Sequence, residues 1–187
     1  MGSGSSITAV KDGISVDTSM GFTPLEGLLM GTRSGDIDPS ILDFIAKKTG
    51  QSLESLTSML NKKSGLFGLT GYSDMRDIED NLDKKEVMLG FNILEYRIRK
   101  YIGSYIAAMG GVTAIIFTAG IGENDPMLRN KLLSNLSYLG IKLLPESKQK
   151  KEKNFTKLSA RNSKIDVYVI PTNEELVIAR ETLNLVK

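Results

Sequence analysis

Two short β-prone runs open the chain, Ile7–Val10 and Ile14–Val16, with Lys11-Asp12-Gly13 between them. An Asp-Gly step between apolar runs predicts a β-hairpin. Further on, Asp38 before Pro39 predicts an N-cap with proline at the first helical position, opening a helix that reaches about Lys48 and stops at Gly50. A second short helix is expected over Leu53–Lys62. Ser64–Ser73 is glycine-rich and reads as loop, and Asp74 begins another short helix. Residues 83–109 carry the longest helical pattern. There Val87, Phe91, Leu94, Ile98, Tyr101, Tyr105 and Met109 recur at spacings of three and four. Leu89, Ile93, Tyr96, Ile102 and Ile106 widen this face and predict burial on more than one side. Gly110-Gly111 ends the helix.

Val112–Phe117 is a short apolar run and predicts a buried parallel strand. A turn follows, then a helix over about Pro126–Leu139. The charged stretch Lys148–Lys153 reads as a solvated helix or loop. Ile165–Ile170 is a second buried strand and Glu174–Leu185 the last helix. The order of hairpin, helices, strand, helix, strand, helix predicts an α/β fold with a mixed sheet. No repeat or linker divides residues 1–187, so a single domain is expected.

Composition narrows the chemistry. At 187 residues the chain has room for one sizeable core. A net charge of +2 gives no electrostatic case for nucleic acid or a membrane surface. The absence of cysteine excludes disulfides and thiolate metal sites. The absence of histidine removes the commonest general base and transition-metal ligand. Phosphoryl transfer survives that loss best, because it depends mainly on positioning and charge neutralisation. No stretch approaches the length of a membrane span and no signal peptide opens the chain, so the cytoplasm is the expected compartment. Met1-Gly2-Ser3-Gly4 reads in part as a tag remnant, and the chain is expected to begin at an artificial boundary.

Residues 21–39 are the most informative. Arg33 sits between Gly31 and Gly35, with Thr32 and Ser34 beside it. Small neighbours let the backbone approach a ligand closely, and a lone guanidinium offers a planar fork of donors to a carboxylate or phosphate. A plain glycine-rich surface loop reads the same way. Asp17 serves either to orient Arg33 or to cap a turn, the turn being preferred. Gly120-Ile121-Gly122-Glu123-Asn124 joins a strand to a helix. Open α/β sheets bind ligands beyond the carboxyl ends of their strands, and the helix beyond presents free N–H groups; a tight turn is the alternative. Asp74-Met75-Arg76 is, on residues alone, a helix start with acid near its N-terminus. Thr172 and Glu175 have capping-box spacing. Glu174 has no such duty and can hold Mg²⁺ against nucleotide phosphates. Tyr96, Tyr101 and Tyr105 read as helix packing.

Several stretches then align in one order: Ser5-Ser6-Ile7-Thr8-Ala9-Val10-Lys11-Asp12-Gly13, Asp17-Thr18-Ser19-Met20-Gly21-Phe22-Thr23-Pro24-Leu25-Glu26-Gly27, Gly31-Thr32-Arg33-Ser34-Gly35-Asp36, Thr118-Ala119-Gly120-Ile121-Gly122-Glu123-Asn124, and Pro171-Thr172-Asn173-Glu174-Glu175-Leu176. Together they closely resemble the acetokinase family over nearly the whole chain, but over only the C-terminal half of a family member. The resemblance implies a ribonuclease-H-like lobe of the actin, hexokinase and Hsp70 superfamily, with a mixed sheet flanked by helices. It implies Mg²⁺-dependent exchange of a phosphoryl group between ATP and acetate, giving ADP and acetyl phosphate, in a homodimer. Arg33 then lies at the acyl-phosphate site. Gly120, Ile121, Gly122, Glu123 and Asn124 contact the adenine nucleotide, Asp74, Met75 and Arg76 flank its base and ribose, and Glu174 serves the magnesium.

The family's preceding lobe, which supplies an arginine, an aspartate and a histidine and measures acyl length, has no counterpart here. Where the family reads His-Leu-Gly-Asn-Gly-Ser-Ser, this chain has Met1-Gly2-Ser3-Gly4-Ser5-Ser6, with Ser3 at the place of the phosphate-contacting asparagine. The chain alone is therefore expected to have negligible kinase activity. A propionate or butyrate kinase, and a non-catalytic nucleotide-binding or dimerisation module, are the other readings.

Overall fold

The Asp12-Gly13 turn forms as its chemistry predicts, with both residues at positive φ, joining β1 (Thr8–Lys11) to β2 (Ile14–Thr18) in an antiparallel hairpin. The computed structural model describes residues 2, 4–149, 151–152 and 154–186. Four helices follow. α1 (Ser40–Thr49) starts after Pro39 and ends at Gly50 in the left-handed conformation; the Asp38 carboxylate accepts from the Ser40 N–H. α2 (Leu53–Lys62) is capped by Ser52. α3 (Gly65–Thr70) and α4 (Met75–Asp80) lead into α5 (Lys85–Met109), which Gly110 closes.

The second half comprises β3 (Ala114–Phe117), α6 (Ala119–Asn124), α7 (Pro126–Asn135), β4 (Thr156–Lys157), β5 (Asp166–Val169) and α8 (Glu174–Leu185). β5 is the middle strand of a mixed sheet. It runs parallel to β3 with Phe117 opposite Val169, and antiparallel to β4. The hairpin makes a separate two-stranded sheet. The core lies between α5, α7 and the mixed sheet, where Phe91, Leu94 and Ile98 meet Leu128, Leu132, Phe117 and Val167. α3 docks on α5 through Gly90, where any Cβ would overlap the Thr70 methyl.

Several expectations are corrected. Ser64–Ser73 is not all loop, since α3 lies inside it: glycine lowers helix propensity, but burial of Leu66 outweighs that cost. The turn expected after β3 is the helix α6. The helix begun by Pro126 ends at Asn135, with a 3₁₀ turn over Ser137–Leu139. β3 is less buried than its composition predicts: it is an edge strand among the described residues, and Ile116 is 55% exposed. α5 buries one face only, because Leu89 and Tyr96 remain exposed. In the charged stretch, Lys148 closes a 3₁₀ turn over Glu146–Lys148, and Lys150 and Lys153 lie outside the described residues. α8 matches its predicted limits and buries none of its residues.

Candidate active site

Arg33 rides on a loop held from two sides. On one side the missed helix α3 supplies the anchors: the Leu66 and Phe67 N–H groups donate to the carbonyls of Met30 and Gly31 at 2.9 and 2.8 Å, and the Ser64 N–H donates to Thr32 O at 3.0 Å. These are N–H groups of a helix's first turn, free of intrahelical partners, used here to fix a loop. On the other side Asp36 closes the neck. Its N–H donates to Gly27 O at 2.9 Å, and its carboxylate accepts from the Gly27 N–H at 2.8 Å and from the Tyr101 hydroxyl at 2.6 Å. Burial, reinforced by Asp36, pushes the Tyr101 hydroxyl above its ordinary value, so it remains a donor.

The half-buried Arg33 guanidinium donates from Nη1 to Pro24 O at 3.3 Å, and no ion pair occupies it among the described residues. A Cβ at Gly4 would stand 3.2 Å from Nη1, so the N-terminal segment runs beside it. Ser3 lies outside the described residues. Asp17 lies within β2 opposite Ala9 and accepts from the Thr18 N–H at 2.7 Å, so the expected turn cap is not found there. Asp36 was not legible as a site residue; an acid closing a glycine-bounded loop onto a distant tyrosine leaves no local signal. Tyr101→Phe should lower stability by about 1.5 kcal/mol, the low end for a bond to a charged group because Asp36 is half-buried. A urea midpoint unchanged by that substitution would remove Tyr101 from the loop's support.

Gly31 backs directly onto Ser73, 2.7 Å from its carbonyl oxygen to an added Cβ, which brings the Arg33 loop to the start of α4. Asp74 caps α4 by accepting from the Arg76 N–H at 2.9 Å, and it pairs with the same residue's guanidinium at 2.7 Å. Arg76 pulls the Asp74 carboxyl down to about 2. Both side chains are substantially exposed, whereas Met75 is buried and turns into the core. Of the three residues, only Asp74 and Arg76 leave their side chains open to solvent.

The ends of β3 and β5 form the second group. Ala119 follows β3 with φ 59°, a left-handed conformation costly for a residue with a Cβ. It is held there by the Thr172 hydroxyl, which accepts the Ala119 N–H at 3.1 Å and lies 2.7 Å from the Thr118 hydroxyl. Thr172 in turn donates its N–H to the Glu123 carboxylate at 2.9 Å. α6 is thus tied to the segment leading into α8.

This corrects the capping-box reading. Thr172 is spent on β3 and α6, and Asn173 caps α8 by accepting the Leu176 N–H at 3.1 Å. An Asn three residues before Leu176 was the signal for it. Within the motif, Gly120 is exposed with open space at its Cβ position, Ile121 packs on the core, and Gly122 is buried against Phe117. The Asn124 amide donates back to Gly120 O at 2.9 Å. Glu174 and Glu175 are exposed carboxylates in the first turn of α8. Among the described residues no three acidic side chains gather to hold a metal alone. A single exposed carboxylate such as Glu174 can hold a magnesium only where water and phosphate supply most of the ligands.

The predicted residues fall into two groups, Arg33 with Asp74–Arg76 and residues 120–124 with Glu174. No hydrogen bond or ion pair joins Arg33 to Glu174 among the described residues. A cleft of about 490 Å³ opens beside Lys157, Arg161 and Lys164, and no residue of either group lines it.

The mixed sheet with its flanking helices places the chain in the actin, hexokinase and Hsp70-like class. The Acetokinase family model matches residues 1–180, and the chain belongs to the acetokinase family. It is 55% identical over 197 residues to the acetate kinase of Thermosipho africanus and 53% over 191 residues to that of Thermoanaerobacter pseudethanolicus. In both cases the match takes in 100% of this chain and 47% of the relative, so the chain spans about half the length of these curated proteins. Porphyromonas gingivalis acetate kinase superposes with a TM-score of 0.91 at 40% identity, covering 100% of this chain and 48% of that one. A propionate kinase from Francisella tularensis gives 0.88 at 43% identity, with 97% and 47% covered. Among the described residues no helix is long and apolar enough to cross a membrane.

Proposed function

We propose that this chain is the C-terminal, nucleotide-binding lobe of a kinase that passes the γ-phosphoryl group of ATP reversibly to acetate, giving ADP and acetyl phosphate. The observation that supports the reading is the bond from the Thr172 N–H to the Glu123 carboxylate, which joins residues 120–124 to the segment leading into Glu174. Asp74 and Arg76 flank the base and ribose, and residues 120–124 contact the adenine nucleotide. Glu174 would hold the magnesium ion, which neutralises phosphate charge when bound. Arg33 donates to the transferring phosphoryl oxygens, where charge is spread in the transition state. The acyl acceptor attacks in line, positioned by groups outside this chain.

The assembled enzyme is a cytoplasmic homodimer in this reading, and light scattering tests whether this lobe self-associates. Similarity to a propionate kinase at 43% identity favours keeping propionate as an alternative acceptor, and butyrate stays with it. The length shortfall favours a second reading for the chain in isolation, a nucleotide-binding or dimerisation module without turnover. A coupled assay on the isolated chain is expected to show negligible phosphoryl transfer; turnover near that of a full-length relative would refute the division of labour. Calorimetry with ADP and Mg²⁺ should detect weak binding that Asn124→Ala reduces. No heat from either protein removes the nucleotide site.

A further inference from the structure

Two carboxyl groups that none of these roles uses meet beneath the nucleotide motif. Asp125 sits at the corner between α6 and α7 and is only 4% exposed. Its Oδ1 caps α7 by accepting the Leu128 N–H at 2.7 Å, while Oδ2 is buried with no donor reaching it. The nearby Arg129 does not fill this gap: its Nη1 donates to Gly122 O at 2.8 Å, and its Nε is itself buried without a partner. Glu79, half-buried on α4, points its carboxyl at Asp125. Two ionised carboxylates in this position repel, and one buried oxygen stays unsatisfied. A single proton on Glu79 removes both penalties, because a protonated carboxyl is a donor and Asp125 Oδ2 is an acceptor.

We propose that Glu79 is a positioning residue for the nucleotide, its protonated carboxyl donating to Asp125 Oδ2 and latching the α4 segment that carries Asp74 and Arg76 to the corner that follows residues 120–124. The inference rests on the nucleotide reading above. Deprotonation opens the latch and lets the two nucleotide-flanking segments separate. Burial first, then the hydrogen bond and the negative charge of Asp125, push the Glu79 carboxyl up from 4.5 to about 7; Asp80 on the same helix adds a weaker push. Arg129, on α7, faces Asp125, whose negative charge partly offsets the downward pull of burial on the guanidinium. The folded chain then keeps a proton that the unfolded chain releases above about pH 4.5. The latch's stabilisation is complete below that pH and is lost as pH rises through about 7. The chain has no histidine to titrate in the same window, and the depressed Asp74 and Asp166 carboxyls titrate below it.

The test compares this chain with Glu79→Gln, which keeps a donor but cannot ionise, and Glu79→Ala, which has none. Between pH 6 and 8 the affinity for MgADP should fall about tenfold in the unmutated chain, beyond any change in the Gln variant, which also corrects for titration of ADP itself. Glu79→Ala should bind weakly at both pH values. From pH 5 to 8 the melting temperature of the unmutated chain should fall by about 3 °C relative to Glu79→Gln. Parallel profiles for the unmutated and Gln chains, in binding and in melting alike, overturn the proposal. MgADP heat absent from every chain, with the melting profiles still split, overturns the nucleotide role and leaves the latch as a structural one.

Discussion

Gly65→Ala should cost about 3 kcal/mol or more and loosen the Arg33 loop with it. Gly65 opens α3 at φ 63°, and an added Cβ would overlap the carbonyl oxygen of Met30 and stand 2.6 Å from that of Arg33. Neither oxygen can yield cheaply, since Met30 O accepts the Leu66 N–H and Arg33 O accepts the Met30 N–H. Gly71→Ala supplies the control. Its φ of 82° imposes a similar backbone penalty, but nothing lies within 4 Å of its Cβ position. That variant should lose only about 1 to 2 kcal/mol. Urea unfolding of both separates conformational cost from collision. Equal losses would show that the contact between α3 and the loop carries no energy.

The contrast between those two glycines also marks what the sequence could and could not reveal. Elements whose cause is local were legible: the Asp12-Gly13 hairpin, α1 stopped by Gly50, α2 after Ser52, α5 with its three-and-four spacing, and α8. α3 was not, because its glycines argue against a helix and the reason for them is tertiary. Gly65 fits under Met30, and Gly90 on another helix lets Thr70 approach. The edge position of β3 was hidden for a similar reason. The short apolar run over 112–117 reads as buried, and only the pairing pattern shows which side of the strand lacks a neighbour.

The candidate site divides along the same line. Asp74 at a helix start and the glycines at 120 and 122 were visible as residue types in suggestive places, and the order of motifs led to the family. Their mechanics were not visible. Gly122 packs closely on Phe117, and Met75 faces the core. Thr172 reaches across to β3 instead of capping its own helix. The Thr172 contacts join segments 53 and 54 positions apart, which spacing within one segment cannot report.

On the phosphoryl-transfer reading proposed above, Arg33→Ala in a full-length enzyme carrying this chain should reduce kcat by about a thousandfold or more, with a much smaller change in nucleotide KM. The guanidinium is pre-positioned: its loop is pinned by α3 at one side and Asp36 at the other, and Pro24 O orients Nη1 without neutralising it. A donor fixed before the reaction stabilises charge that develops only in the transition state, so its loss falls on kcat. A thousandfold loss corresponds to about 4 kcal/mol of barrier. Arg33→Lys should recover little, because an ammonium lacks the planar fork and does not reach as far. Circular dichroism and melting temperature should stay close to those of the parent, since Arg33 makes no ion pair among the described residues and its loop is held through backbone groups. A rise in KM at unchanged kcat would assign Arg33 to ground-state binding and remove it from the transferring phosphoryl group.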